Sequence, residues 1–210
     1  MQHHEYLQAK FPRLELRPPL FYRWSNGIRF ELGIALNNEI DFPNNSYIQR
    51  CYQKAITLFQ ALHALADQIV IVDDVDDYGH GISIKRRLEN FSPYIQKSLL
   101  FKLKHNSILL SKDGEEGMYQ KHRFSLKCRT SNFAYIPLIK AICNHDFGLS
   151  PSNSNRVYFI NVNKNTIFHI YDDRGCDLLA TVPETIKKIY LGYNDWILDY
   201  DRTKIDKIVN

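Results

Sequence analysis

Apolar side chains recur along this chain with two different periods, and the period distinguishes helices from strands. Over residues 47–66 they recur every three or four positions, at Ile48, Cys51, Tyr52, Ala55, Leu58, Phe59, Leu62 and Leu65. This spacing predicts a helix with one buried stripe. Over residues 119–129 apolar and polar positions alternate instead, which predicts a strand with one basic face and one mostly apolar face.

Alternating runs joined by turn residues predict two β-hairpins. The first joins residues 20–24 to residues 28–32 through Ser-Asn-Gly, and Asn-Gly is the strongest short hairpin signal. The second joins residues 157–160 to residues 167–170 through Asn-Lys-Asn, and residues 177–180 continue as a third strand. A continuous apolar run at residues 68–72 predicts a buried strand, and a shorter strand is predicted at 108–110.

The remaining periodic segments predict helices, which together with the hairpins indicate the fold class. They span residues 2–11, 83–91, 93–104, 136–143 and 183–193, with a last helix from about 201. We therefore expect an α+β fold, a mostly antiparallel sheet of hairpins with helices packed on it. The Ser-Pro-Ser-Asn-Ser-Asn segment at 150–155 is too short for a domain boundary, so residues 1–210 are predicted to form a single α+β domain.

Composition and charge exclude several classes of protein. The chain has 210 residues, of which 44% are hydrophobic and 24% charged, as in folded proteins with a sizeable core. Its net charge of +4 comes from scattered basic residues, which makes nucleic-acid binding unlikely. The sequence contains no apolar run of about 18 residues and no signal-peptide pattern, so we expect a cytoplasmic protein without a membrane span. The four cysteines form no Cys-x-x-Cys motif, which favours free, mostly buried thiols.

Acidic residues concentrate where two predicted strands end. Asp73, Asp74, Asp76 and Asp77 follow the buried strand, and Asp172 and Asp173 follow the second hairpin. Carboxylates at the ends of strands can bind a divalent cation. Asp73 or Asp74 together with Asp172 or Asp173, with Lys85 as an auxiliary cation, would make a metal-dependent, nuclease-like hydrolase. This is the alternative function.

The favoured interpretation of Asp172 and Asp173 is a tight turn. Aspartate is common where turns start, Gly175 would supply a positive φ, and Arg174 would pair with Asp199 or Asp201. An arginine beside two acids would also neutralise a cation site. We expect a charge network of Arg29, Glu31, Arg174, Asp199 and Arg202.

Other catalytic chemistry finds little support in the sequence. Cys143 with His145, or Cys128 with His122 or His169, would be the pairs available for a cysteine nucleophile, but buried free thiols are the simpler expectation. The sequence has neither zinc-ligand spacing nor a glycine-rich phosphate loop, so no cofactor is expected.

Four segments together resemble a known bacterial family. They are residues 20–24 (Leu-Phe-Tyr-Arg-Trp), 28–33 (Ile-Arg-Phe-Glu-Leu-Gly), 171–177 (Tyr-Asp-Asp-Arg-Gly-Cys-Asp) and 193–202 (Tyr-Asn-Asp-Trp-Ile-Leu-Asp-Tyr-Asp-Arg). The family is domain of unknown function 3885, and the likeness covers almost the whole chain. It implies a bacterial, cytoplasmic, stand-alone protein, and it transfers no catalytic residue.

The predicted function is a non-enzymatic protein-binding module, such as a cytoplasmic immunity protein that occludes a bacterial toxin. Clustered acids would steer a basic partner, and aromatic residues and arginine carry interface energy. The predicted binding residues are Asp172, Asp173, Arg174, Trp196, Asp199, Asp201 and Arg202. A third hypothesis is a regulatory or structural protein that acts as a homodimer.

Overall fold

A seven-stranded antiparallel sheet forms the centre of the computed structural model, which describes residues 3–33, 46–77, 91–111 and 118–209. The strands are β1 (Gly27–Glu31), β2 (Gln68–Asp77), β3 (Lys104–Ser111), β4 (Met118–Arg129), β5 (Arg156–Asn161), β6 (Thr166–Ile170) and β7 (Gly175–Ala180). Their order in the sheet is β1-β7-β6-β5-β2-β4-β3. Every pair of neighbours is antiparallel, which confirms the α+β expectation.

Both faces of the sheet are covered, by different parts of the chain. The helices are α1 (His3–Lys10), α2 (Ser46–Leu62), α3 (Tyr135–Cys143), α4 (Pro183–Gly192) and α5 (Asp199–Val209). Residues of α2 to α5 pack with Ile71, Phe159 and Phe168 on one face, here called the helical face. Residues 6–20 pack with Val72 and Ile160 on the other, here called the N-terminal face. Because side chains alternate along a strand, β2 and β5 bury both sets.

The second predicted hairpin and its third strand are confirmed as β5, β6 and β7. Asn161 stabilises the hairpin turn, because its side-chain oxygen accepts hydrogen bonds from the backbone N–H groups of Asn163 and Lys164, each at 3.0 Å. Asn165 takes a positive φ of 52°, a conformation that asparagine tolerates better than most residues. The turn chemistry seen in the sequence therefore does produce this hairpin.

The first predicted hairpin is wrong. Residues Leu20–Arg23 form a turn of 3-10 helix, and β1 pairs with β7. Leu20 and Phe21 are fully buried, and the Phe21 N–H donates to the Asp177 carboxylate at 3.1 Å. Asn26 bonds to the Thr181 carbonyl, so the Ser-Asn-Gly segment directs the chain onto β7. Tertiary contacts override the local hairpin signal here.

Several helix and strand boundaries also differ from the predictions. The helix predicted at 93–104 is two short 3-10 turns, Ser92–Tyr94 and Lys97–Lys102, and β3 is longer than the strand predicted at 108–110. The first long helix ends at Leu62, four residues early. The helix predicted at 83–91 lies almost wholly outside the described residues. Of the helices that the structure describes, none has both the length and the apolar surface that crossing a bilayer requires.

Candidate functional site

A cleft opens where the turn between β6 and β7 meets the start of α2. It measures about 470 Å³ and is here called the acidic cleft. Its lining residues are Phe30, Glu31, Gly33, Tyr47, Asp146, Phe147, Tyr171, Asp173, Arg174 and Leu198. Its lining includes three acidic residues and one arginine, and aromatic residues form much of its wall.

Asp173 is the buried acid of the cleft. Its carboxylate accepts a hydrogen bond of 2.6 Å from the Tyr47 hydroxyl, and the Tyr47 ring packs 5.6 Å from that of Phe147. Burial raises the pKa of Asp173 above its usual value, and the Tyr47 hydrogen bond opposes that rise because it favours the charged form. Tyr47 therefore fixes the orientation of this carboxylate and favours its ionised form.

Asp172 and Arg174 form a closed turn beside it. One Asp172 oxygen accepts the Arg174 backbone N–H at 2.8 Å, and the other accepts the Arg174 Nε at 2.9 Å and its Nη2. The arginine side chain is 71% exposed and also lies 3.8 Å from Asp146. The predicted pairing of Arg174 with Asp199 or Asp201 is therefore wrong, because the arginine folds back on its own turn.

Gly175 is needed in this turn for a different reason than the one predicted. Its φ is not positive, since Gly148 is the glycine with a positive φ among the described residues. A Cβ atom at Gly175 would lie 2.8 Å from the backbone oxygen of Phe30 and would collide with the Tyr171 hydroxyl. The glycine thus allows β1 to approach β7 closely and sets the back wall of the cleft.

The second acidic run lies elsewhere and is not a loop. Asp73 to Asp77 belong to β2, which corrects the prediction that they follow the strand. Asp73 is fully buried and accepts a hydrogen bond of 3.0 Å from Asn155, and burial raises its pKa to about 8. Asp74 makes two 2.6 Å hydrogen bonds with Arg123 and lies 3.8 Å from the Lys121 ammonium. These contacts neutralise part of the basic face predicted for residues 119–129.

The four aspartates of the hydrolase hypothesis each have their own partners. Asp73 and Asp74 lie on β2, whereas Asp172 and Asp173 follow β6, and β5 lies between these two strands. Within the described ranges, no group of three or more histidine, cysteine, aspartate or glutamate side chains could hold a metal ion. Lys85, the proposed auxiliary cation, lies outside the described residues.

Residues 193–202, here called the C-terminal signature, include both buried and exposed side chains. Asp201 is buried and accepts a 2.9 Å hydrogen bond from the Tyr22 hydroxyl, and Arg202 binds Asn194 and Asp199. Trp196 is half-buried and packs 4.9 Å from the Tyr193 ring. Asp199 and Tyr200 point outward, and Tyr200 is 86% exposed.

The predicted five-residue charge network is also wrong, because its members have separate partners. Arg29 makes hydrogen bonds of 2.8 and 3.1 Å to the fully buried Asp177 and lies 3.8 Å from Asp201. Arg174 pairs with Asp172, and Arg202 pairs with Asp199. Among the described residues Glu31 has no ion-pair partner, and it is one of the residues that line the cleft.

The predicted binding residues include Asp173 and Arg174 of the cleft but not its other lining residues, among them Tyr47, Asp146 and Phe147. Tyr47 lies in the first turn of α2, and the other two lie in the short 3-10 turn His145–Phe147 after α3. No local pattern links them to residues 171–175, since only the packing of α2 and α3 on the sheet brings them there.

The four cysteines are free and buried, as predicted. Burial raises the pKa of Cys51 to about 11 and that of Cys128 to about 12, and it also raises the pKa values of Cys143 and Cys176. A nucleophilic thiol needs a lowered pKa, so these environments do not activate a thiolate.

Comparison with known proteins finds one family and a curated relative. The family described as "Domain of unknown function (DUF3885)" matches residues 3–201. A protein of Bacillus subtilis (strain 168), described as "Uncharacterized protein YnaE", is 28% identical over 211 aligned residues, which cover 93% of this chain and 96% of the relative. No solved structure matches the chain.

Proposed function

We propose that this chain, which belongs to the DUF3885 family, is a non-enzymatic protein-binding module whose acidic cleft takes a basic segment of a partner protein. Its most specific form is a cytoplasmic immunity protein that binds a basic bacterial toxin, such as a nuclease. The family description names neither a class of partner nor a cellular location, so both are part of this proposal.

The charge balance of the cleft is the observation that carries this proposal. Glu31, Asp146 and Asp173 line it, and Arg174 is the lining cation. The Arg174 guanidinium already binds the Asp172 carboxylate and lies 3.8 Å from that of Asp146. The cleft therefore keeps a surplus of negative charge that a lysine or arginine side chain can complement.

The walls of the cleft suit the rest of such a side chain. Tyr47, Phe147 and Tyr171 present aromatic surface beside the carboxylates. Aromatic rings bind the methylene stem of lysine and the face of a guanidinium. A recess lined by both acidic and aromatic residues is thus suited to a basic anchor residue, the kind that often dominates an interface.

An exposed tyrosine surface lies next to the cleft and would enlarge the contact. Leu198 lines the cleft, and Tyr200 follows two residues later with 86% of its surface exposed. Tyr22 is 48% exposed and reaches the same helix start, where its hydroxyl binds Asp201. Asp199, Tyr200 and Tyr22 would form the polar and aromatic rim of the interface.

Binding to the products of neighbouring genes tests this proposal directly. Each adjacent gene product would be purified and titrated into the protein by calorimetry, and toxic products would be co-expressed with it to measure protection of growth. The proposal predicts one partner that binds in a saturable complex and whose toxicity the protein relieves. Failure of every neighbouring product to bind would contradict the immunity function.

Two matched variants locate the interface. Tyr200→Ala should weaken partner binding by roughly fivefold, because an aromatic contact at the rim of an interface is worth less than a central anchor, about 1 kcal/mol. Phe101→Ala is the control, since Phe101 is 80% exposed but precedes β3 at the opposite edge of the sheet. Equal effects of the two variants would place the interface elsewhere.

A further inference from the structure

A second cavity lies on the N-terminal face of the sheet, away from the acidic cleft. It measures about 380 Å³ and is lined by His3, Gln68, Val70, Lys102, Lys104, Ser125 and Lys127. We call it the lysine pocket. Three of its lining residues are lysines and none is acidic, so its charge is opposite in sign to that of the acidic cleft.

The strand register explains why the lysines converge. Val70 on β2 lies opposite Lys127 on β4, and Ser125, two residues away on the same strand, lies opposite Lys104 on β3. Residues two apart on a strand point to the same face, so Ser125 and Lys127 share it. Lys102 belongs to the 3-10 turn that leads into β3 and is the third lysine that lines the pocket.

The three ammonium groups are not neutralised by the protein. Among the described residues, no carboxylate lies within ion-pair distance of Lys102, Lys104 or Lys127. Another lysine of β4 does have acidic neighbours. The Lys121 ammonium lies 3.8 Å from Asp74 and 3.9 Å from Asp76. The lack of a carboxylate partner is therefore a property of this pocket and not of the whole basic strand, although the Lys102 ammonium also lies 5.5 Å from the centre of the Phe101 ring.

Two buried polar side chains form the inner wall. His3 is only 6% exposed, and its Nδ1 has no hydrogen-bond partner. Ser125 is 4% exposed. Burying a polar atom without a partner is costly, so a ligand that bonds to the His3 Nδ1 would remove that cost. Burial and the nearby Arg123 lower the pKa of His3 to about 4, so the imidazole is neutral at pH 7 and contributes a hydrogen bond.

We propose that the lysine pocket binds a small, multiply charged oxyanion of the phosphate class, in the form of a phosphorylated metabolite. Three unpaired ammonium groups match two or three negative charges, and the His3 and Ser125 side chains supply directional hydrogen bonds. The volume falls within the usual range of small-molecule sites. A recessed site with three cations is too confined to follow a nucleic-acid backbone.

Calorimetric titration with inorganic pyrophosphate tests the proposal. The full chain would carry its purification tag at the C-terminus, because His3 lies close to the N-terminus, and ionic strength would be held constant without magnesium. The site predicts saturable one-to-one binding. Lys104→Gln and Lys127→Gln should each weaken it by about tenfold. Both lysines are exposed, so circular dichroism and thermal melts should show intact folding.

Control titrations separate the site from general charge effects. Lys187→Gln removes an exposed lysine from α4 and should leave the affinity unchanged within about twofold. Orthophosphate and ATP compared with pyrophosphate distinguish a free anion from a phosphorylated metabolite. The proposal is overturned if pyrophosphate gives no saturable heat or if Lys187→Gln weakens binding as much as Lys104→Gln. It is also overturned if short single-stranded DNA binds more tightly through the same lysines.

Discussion

The acidic cleft and the lysine pocket differ in how the protein treats its own charges. In the cleft, the buried acids are already held, Asp173 by Tyr47 and Asp172 by Arg174. In the pocket, the three lysines have no carboxylate partner among the described residues, and His3 has an unsatisfied nitrogen. The buried acids of the cleft are thus held by neighbouring side chains, and the cleft keeps a modest surplus of negative charge. The pocket is lined by three lysines that have no carboxylate partner among the described residues.

This difference separates two modes of recognition. A cleft whose side chains already bind one another keeps its shape and suits docking of a preformed protein segment, because few side chains need to reorganise. Unpaired ammonium groups around a recess suit a small anion that supplies the missing charge. This difference supports the proposed macromolecular partner at the cleft and the proposed small ligand at the pocket, and each proposal rests on its own set of residues.

The largest expected effect comes from removing the buried ion pair behind the cleft. Asp177→Ala should lower the free energy of unfolding by about 3–5 kcal/mol, because it leaves the Arg29 guanidinium without the fully buried carboxylate that binds it. It also removes the acceptor of the Phe21 N–H. Urea denaturation measures the loss.

Asp199→Ala is the matched control for that variant. Asp199 also pairs with an arginine, but its side chain is 93% exposed, so the expected loss is about 1 kcal/mol or less. Similar losses in the two variants would mean that the Arg29 pair does not hold β1 and the back of the cleft in place.

A smaller and pH-dependent effect is expected for Tyr47→Phe. The variant loses the hydrogen bond that Tyr47 donates to Asp173, worth about 1–2 kcal/mol while that carboxylate is charged. Because that bond favours the charged carboxylate, its loss should raise the pKa of Asp173 further. The stabilisation is present only while Asp173 is charged, so the difference between variant and native protein should shrink as the pH falls through the native pKa.

Carbon-13 NMR titration of the aspartate side chains, combined with urea unfolding at several pH values, measures both parts of this effect. Tyr22→Phe, which removes a hydrogen bond to Asp201 outside the cleft, is the control. An Asp173 pKa that stays unchanged or falls in Tyr47→Phe would contradict the assigned role of Tyr47.

The sequence predicted the fold better than it predicted the site. Helix α2 and the β5–β6–β7 meander follow from apolar periodicity and turn residues, which act locally. The first hairpin failed because Phe21 and Asn26 make long-range contacts with residues 177 and 181 that outweigh the Asn-Gly turn signal. The predicted ion-pair partners of Arg174 were wrong because Asp172, two residues away on the same turn, is closer than the aspartates of the C-terminal signature.

Long-range packing also limits how many lining residues of the two cavities can be predicted from the sequence. Asp172, Asp173 and Arg174 could be found because they are adjacent in sequence, whereas Tyr47 and Asp146 reach them only through helix packing. For the lysine pocket, the sequence indicated only the basic face of residues 119–129, which carries Lys127. Lys102 and Lys104 are up to 25 positions away, and the strand register brings them to that face.

Paramagnetic relaxation by charged nitroxide probes tests most directly whether the molecule carries two recessed sites of opposite charge. A cationic and an anionic nitroxide of equal size would be added separately to labelled protein, and relaxation of each amide proton compared. We predict stronger relaxation by the cationic probe at Phe147 and Asp173, and by the anionic probe at Lys104 and Lys127. Equal effects of both probes at the cleft, or a preference there for the anionic one, would contradict the account.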